Sequence, residues 1–316
     1  MDTLTLGKSD LSVSRLCLGT MFFGSKESED ISFRLLDRYM EAGGNFLDTA
    51  NIYARFIEGC SGGESENVLG RWMKDRGARD RMIVASKVGF DYPGVERGLS
   101  AQQITGECEK SLQRLGIDCI DLYYAHCDDR LTPLDETLEA YDRLVTAGKV
   151  RSIGASNYTA WRLKAALEKS KEIGVPSYIC IQQRYTYLRP RPGTSFNPQL
   201  SASEELLDLC RSEHIPLLPY SPLLGGAYAR TDKQFAEQYR GADSNARLGE
   251  LQTVASELEV SPNQVVIAWM LHHDFPVVPL IAASSLEQLE ENLAAEKLRL
   301  SDEQLRRLND AGEKPE

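Results

Sequence analysis

Four side chains in this sequence could together move a proton: Asp48, Tyr53, Lys87 and His126. Adding hydride to a carbonyl carbon leaves an alkoxide that must be protonated. A phenol can supply that proton, but an ordinary tyrosine, with a pKa of about 10, is a reluctant donor near neutrality. A neighbouring ammonium favours the phenolate and is expected to lower that value. In this reading Tyr53 is the general acid and Lys87 adjusts its pKa. Asp48 keeps Lys87 charged and oriented, and His126 donates a hydrogen bond to the substrate oxygen. Each residue also has an ordinary structural role open to it: a turn cap, a half-buried aromatic, a solvated cation, a satisfied core histidine. Lys87 fits its ordinary role worst. It lies inside the apolar stretch IVASKVG (83–89), where an unpaired ammonium would cost several kcal/mol to bury.

Something must bring the four together, and the sequence supplies a repeating pattern. Short apolar runs occur at RLCLG (15–19), NFLDTA (45–50), MIVASKVG (82–89), IDLYYAH (120–126), VRSIGAS (150–156), YICIQQ (178–183), IPLLPYS (215–221) and VVPLIAA (277–283). They lack strict alternation, as expected of strands covered on both faces. Helical patterns lie between them. Ser28 to Ala42 puts Ile31, Leu35, Leu36 and Tyr39 on one face and stops at Gly43-Gly44. Thr132-Pro133, Ser201 and Ser261-Pro262 read as helix starts. Units of this kind without a flexible linker predict an α/β chain folded as a (β/α)8 TIM barrel, one domain over residues 1–316. TLTLGKSDLSVS (3–14) is expected to form an N-terminal hairpin plugging the barrel bottom, and SDEQLRRLNDAGEKPE (301–316) an exposed C-terminal helix with a frayed end. No G-x-G-x-x-G run follows the first strand, which argues against an open doubly wound sheet. In a barrel, strand C-termini face the site. Asp48, Lys87 and His126 close the second, third and fourth strands, and Tyr53 sits just beyond the second.

Charge and composition exclude other classes. The chain has 47 acidic against 36 basic residues and a formal charge of -11, with no basic block for nucleic acid or an anionic membrane. Seven scattered cysteines without a C-x-x-C pair suggest reduced thiols rather than disulfides or a metal site. The longest strongly apolar run, VVIAWML (265–271), is far shorter than a membrane span. No signal peptide is evident, so a cytoplasmic location is expected.

The segments LDTANIY (47–53), IVASKVG (83–89), IDLYYAHCDD (120–129), GKVRSIGASNY (148–158) and PYSPLLGG (219–226) resemble the aldo-keto reductase superfamily in order and spacing. The resemblance extends over essentially the whole chain. It implies a (β/α)8 barrel and the same four catalytic roles. It also implies a nicotinamide cofactor, NADPH/NADP first and NADH as the alternative. Ser156, Asn157 and Gln182 would meet the carboxamide, and Tyr220 would stack under the nicotinamide ring. Gly19, Thr20 and Met21, with Asp48, would approach the nicotinamide end. Ser221, Leu223 and Gly225 would approach the phosphates. The adenosine end departs from the pattern of many members: Ala282, Ala283 and Ser284, followed by Gln288 and Asn292, stand where many carry a basic residue for the 2′-phosphate. Arg230, Lys233 and Arg240, after the seventh strand, are the candidates to replace that charge.

The segment following Tyr53, residues 54–64, is longer than the family's usual link and brings Phe56 and Ile57 beside the site. It is read as a partial wall over the substrate. Phe22, Phe90 and Cys127, with Tyr53 and His126, are the expected substrate contacts, and Phe23 and Tyr185 are further candidates for the lining. The partner implied is a small aldehyde, ketone, sugar carbonyl or the corresponding alcohol. The second reading is a cofactor-binding regulatory subunit of the channel-beta type with little turnover. A purely structural barrel leaves Lys87 unexplained.

Overall fold

The computed structural model describes residues 1–312. Eight strands form one parallel sheet in the order β10-β3-β4-β5-β6-β7-β8-β9. They are β3 (Cys17–Gly19), β4 (Phe46–Asp48), β5 (Ile83–Val88), β6 (Ile120–Ala125), β7 (Val150–Ser156), β8 (Tyr178–Arg184), β9 (Leu217–Tyr220) and β10 (Leu280–Ile281). Seven lie within the apolar runs, and β8 runs one residue past its own, to Arg184. The sheet closes where β9 bridges the chain just ahead of β10, with the Val278 N–H on the Leu217 carbonyl at 2.9 Å. Closure removes both sheet edges. The result is a nearly closed (β/α)8 barrel.

β1 (Thr3–Thr5) and β2 (Ser12–Ser14) form the expected antiparallel hairpin. Leu6, Leu11 and Val13 at its tip and second strand are fully buried among barrel-interior residues that include Phe46, Leu122, Cys180 and Leu218. The hairpin therefore fills the end of the barrel opposite the site. Gly7 sits at φ 56°, and a Cβ there would meet the Ile179 carbonyl oxygen at 2.1 Å. Only glycine lets the turn come this close.

The outer layer begins with α1 (Glu29–Glu41), where Ser28 accepts from the Ile31 N–H as its cap, and continues with α2 (Glu64–Arg76), α3 (Ala101–Leu115), α4 (Leu134–Thr146), α5 (Ala160–Ile173) and α6 (Glu204–Glu213). α7 (Ala242–Glu257) and α8 (Pro262–Leu271) precede β10, and α9 (Leu286–Ala294) and α10 (Asp302–Asp310) follow it. Ser261 and Gln264 form a capping box at α8 with proline in the first turn, as its sequence foretells. Two expected caps differ. Thr132 does not cap α4: its hydroxyl donates to Asp129 at 2.6 Å and Pro133 holds the cap position. α6 is capped by Ser203 instead of Ser201, because only Ser203 reaches the Leu206 N–H. α10 is docked rather than simply exposed. Leu308 is buried, its carbonyl accepts from the Tyr187 hydroxyl, and Asn309 accepts from the Trp269 indole N–H at 2.7 Å. The frayed end expected at the tail falls on residues outside the described ones.

His273, at the end of α8, accepts or donates one hydrogen bond with the Tyr185 hydroxyl at 2.9 Å and packs edge-on to Trp269. Burial, reinforced by the Arg211 charge, pushes its pKa down to about 4. An unfolded histidine titrates near 6.5. Between these values the unfolded chain holds a proton that the folded chain does not, so stability is full above about pH 6.5 and falls as the pH drops toward 4. His126 is depressed in the same direction. Melting temperatures recorded from pH 7 to 4.5 should therefore fall less steeply in His273→Gln than in the unsubstituted protein. Equal slopes would remove His273 from the account.

Candidate active site

β4, β5 and β6 are neighbours, and their C-terminal ends deliver Asp48, Lys87 and, one residue beyond β6, His126 to one mouth. The chain turns after Asp48, with the Tyr53 N–H on the Ala50 carbonyl at 3.2 Å, and sets the Tyr53 ring over the lysine; left-handed Ala54 (φ 75°) follows it. Lys87 and Asp48 are fully buried. The Lys87 Nζ donates to Asp48 Oδ2 at 2.5 Å, to the Thr49 carbonyl at 2.7 Å and to the Tyr53 hydroxyl at 2.8 Å. The ammonium's three donors are thereby satisfied inside an apolar barrel, which answers the cost of burying it. Asp48 Oδ2 also accepts from the Tyr53 hydroxyl at 3.3 Å, and Oδ1 accepts from Gln182 Nε2 at 2.7 Å. The His126 ring lies 6.1 Å from the Tyr53 ring and 4.7 Å from that of Phe90.

The electrostatics correct one expectation. Burial, and then the Asp48 carboxylate, hold the Tyr53 phenol well above its ordinary pKa instead of lowering it. The ammonium expected to favour the phenolate is balanced by Asp48, and burial outweighs what remains. Burial also lowers the Lys87 pKa, opposed by Asp48. Burial, then the Lys87 and Arg55 charges, keep His126 well below its usual range, so its ring is neutral at neutral pH. The buried His126 Nδ1 has no hydrogen-bond partner among the described residues.

Beneath the four lies a polar layer that sequence reasoning missed. Fully buried Glu66 on α2 accepts from Ser86 on β5 at 2.5 Å and from Arg114 on α3 at 2.6 Å. Glu107 on α3 accepts from Asn51 at 2.7 Å, Tyr92 at 2.8 Å and Lys110 at 2.7 Å. Burial raises the Glu107 carboxyl, but these donors together bring it below its usual value. Asn51 belongs to the turn that carries Tyr53, so Glu107 anchors that turn to α3. The available signal was an acidic residue on the buried face of each helix.

The residues expected to meet a nicotinamide cluster at the neighbouring strand ends. Ser156 ends β7, and Asn157 follows with a left-handed φ of 57°. Asn157 donates to the His126 carbonyl at 2.9 Å and accepts from the Tyr220 hydroxyl at 2.7 Å, which fixes the edge of that ring. The Gln182 amide N–H donates to Asp48 Oδ1 at 2.7 Å. Thr20 is fully buried and its hydroxyl donates to the Asp48 carbonyl at 2.9 Å, bracing the loop after β3. Gly19 ends β3 and Met21 is exposed beyond it. Ser221 (φ 55°) and Gly225 (φ 67°) turn the loop after β9, and Leu223 is buried in it.

At the far end, Ser285 caps α9, Gln288 accepts from the Ser284 N–H at 2.9 Å, and buried Asn292 donates to the Ala282 carbonyl at 3.1 Å. Gln288 and Asn292 thus brace the loop. Arg230 pairs with Asp232 at 2.6 Å on the exposed surface. Arg240 binds the Phe235 carbonyl and Gln234. Lys233 donates to the Gly225 carbonyl at 2.7 Å, on the glycine-rich loop itself.

The segment after Tyr53 is held against the loop after β5 by Arg55–Asp91 at 2.8 Å, and Phe56 packs edge-on to Phe22 at 6.1 Å. Phe90 and Cys127 are buried together with Ala50 and Ile52 beside Tyr53. Phe23 is buried in the core between barrel and helices. The Tyr185 ring stacks on Trp269 of α8, so it faces the helical layer instead of the mouth. Among the described residues no group of His, Cys, Asp and Glu could hold a metal ion, and no helix is long and apolar enough to cross a membrane.

The family model described as the aldo/keto reductase family matches residues 15–313. Among similar proteins, Uncharacterized oxidoreductase YrpG of Bacillus subtilis (strain 168) is 34% identical, with 100% of this chain and 99% of the relative covered. Norsolorinic acid reductase stcV of Emericella nidulans is 32% identical, over 95% of this chain and 78% of its own length. Aldo-keto reductase str7 of Strobilurus tenacellus is 30% identical, over 98% and 89%.

Proposed function

The chain belongs to the aldo/keto reductase family, and on that premise we propose that it is an NADPH-dependent oxidoreductase that interconverts carbonyls and alcohols, with Tyr53 passing the proton. The observation that carries the proposal is the junction at the Lys87 Nζ, fully buried and bonded at once to Asp48 and to the Tyr53 hydroxyl. The relatives named as reductases support the reaction class.

When bound, the nicotinamide supplies the hydride; the protein's own groups handle the oxygen. Tyr53 remains a neutral phenol through neutral pH and so carries the proton that reduction needs, which the far more basic alkoxide can take despite the raised pKa. Lys87 donates to the phenol oxygen, so it stabilises negative charge there as the proton leaves. Asp48 holds Lys87, and Gln182 holds Asp48. His126, kept neutral by burial, orients the substrate oxygen by a hydrogen bond from its ring N–H. In the reverse direction Tyr53 must accept a proton. Its raised pKa makes that step slow at neutral pH and faster as the pH rises.

The residues present suit a nicotinamide dinucleotide. The Tyr220 ring is fixed by Asn157 beside the proton-transfer group, the left-handed backbone at Ser221 and Gly225 opens a loop, and the capped start of α9 offers N–H groups to an anion. Ser156 and Asn157 would orient the carboxamide, with Gln182 beside them. Gly19, Thr20 and Met21 would border the nicotinamide, and Leu223 the diphosphate. Ala282, Ser284, Gln288 and Asn292 would form the adenosine end, with Arg230 and Lys233 on the loop after β9 supplying positive charge. Residues 1–316 are taken as one catalytic domain.

Incubating the protein with NADPH or NADH and a panel of aldehydes, ketones and sugars tests this reading by loss of nicotinamide absorbance. Turnover with a lower KM for NADPH is expected. A lower KM for NADH would overturn the 2′-phosphate assignment. Tight cofactor binding without turnover on any substrate would overturn the enzymatic reading in favour of a regulatory subunit.

A further inference from the structure

One side of the mouth's rim sets a cation against an aromatic ring. Phe90 presents one side of its ring to His126 at 4.7 Å, and the Arg97 guanidinium lies over that same ring at 5.3 Å from its centroid. Arg97 is exposed, two ring contacts from the group that would orient the substrate oxygen. Three carboxylates of the surrounding loops are already engaged. Asp91 pairs with Arg55, Asp128 with Arg162 and Arg130, and Asp129 accepts from the Leu99 N–H and the Thr132 hydroxyl. Among the described residues Arg97 makes no ion pair. Across the mouth, on the loop after β3 and the segment after Tyr53, Phe22 and Phe56 form an edge-to-face pair. The site thus combines aromatic surfaces with a planar guanidinium that lies beside the Cys127 thiol, makes no ion pair and is displaced from the proton-transfer group.

We propose that the substrate is an aromatic carbonyl compound bearing a carboxylate or comparable oxyanion on the far side of its ring, and that Arg97 receives that anion. The guanidinium fork can take a carboxylate through two N–H donors, which a lysine in the same place could not reproduce. The phenylalanines contribute ring contacts at little conformational cost. Binding the remote anion would hold the carbonyl at Tyr53 and His126, so recognition and orientation come from one contact. The proposal rests on the carbonyl-reducing reading above and adds the class of substrate to it.

The test compares 4-carboxybenzaldehyde with its methyl ester, in the unsubstituted protein, Arg97→Met and Arg97→Lys. The unsubstituted protein should favour the acid. In Arg97→Met the acid-to-ester ratio of kcat/KM should fall about tenfold, mainly through KM, with Arg97→Lys between the two. An unchanged ratio overturns the proposal while ester turnover leaves the reductase reading standing. Calorimetric titration with terephthalate in the presence of NADPH decides the matter independently of turnover. Binding at least fivefold weaker in Arg97→Met supports the anion subsite, and equal binding overturns it.

Discussion

Tyr53→Phe is expected to lower kcat for carbonyl reduction by about 10²–10⁴-fold, the usual contribution of a positioned general acid, while leaving the fold and NADPH binding in place. The hydroxyl is the group that would give its proton to the developing alkoxide, and the ring alone cannot replace it. Removing it leaves Lys87 still bonded to Asp48 and to the Thr49 carbonyl, so no buried charge is orphaned. Melting temperature should therefore change little, and tryptophan fluorescence should still report the cofactor. Because burial and Asp48 raise the phenol's pKa, the unsubstituted enzyme should hold its reduction rate through neutral pH and gain in alcohol oxidation toward alkaline pH. The variant should lose that alkaline gain. Rates within a few-fold of the unsubstituted protein in both directions would take the proton from Tyr53 and give it to another group.

Lys87→Met should damage both activity and stability. Methionine fits the apolar surroundings, but Asp48 then remains buried without its cation. Breaking a buried pair from one side costs about 3–5 kcal/mol, enough to lower the melting temperature by about 5 °C or more. Activity should fall by at least about 10²-fold, since the phenol loses the donor that stabilises its departing proton. The double variant Asp48→Asn/Lys87→Met separates the two effects. Neutralising the orphaned carboxylate should restore much of the stability and none of the activity. If the double variant were as unstable as the sum of the single ones, the ion pair would not be the reason Lys87 tolerates burial.

Much of the barrel was legible because its strands are covered on both faces. Continuous apolar runs such as MIVASKVG and IDLYYAH admit few other readings, and their polar ends, Lys87 and His126, stand out against them. Asp48 as the partner of Lys87 followed from the cost of an unpaired ammonium, and the two meet at 2.5 Å. What sequence could not supply was competition among partners. Thr132 looks like a helix cap, yet Asp129 three residues earlier takes its hydroxyl. The Gln182 N–H reaches Asp48, on a strand far away in sequence, a contact that spacing does not announce. The direction of the Tyr53 shift was misread for the same reason. An ammonium beside a phenol lowers its pKa only when its charge is not already balanced, and burial opposes it throughout. Glu66 and Glu107 escaped notice because their partners, Ser86 and Arg114, and Asn51 and Tyr92, come from separate elements.

The central claim is direct hydride transfer to a carbonyl carbon held at Tyr53 and His126. It is tested most directly by supplying NADPH carrying deuterium on one face of C4, in ordinary water, with an aldehyde the protein turns over, and analysing the alcohol by mass spectrometry and NMR. The account predicts one deuterium on the carbinol carbon, from one face of the cofactor only, and a hydroxyl proton from solvent exchange. An alcohol whose carbinol carbon carries hydrogen from water with either labelled face would contradict it.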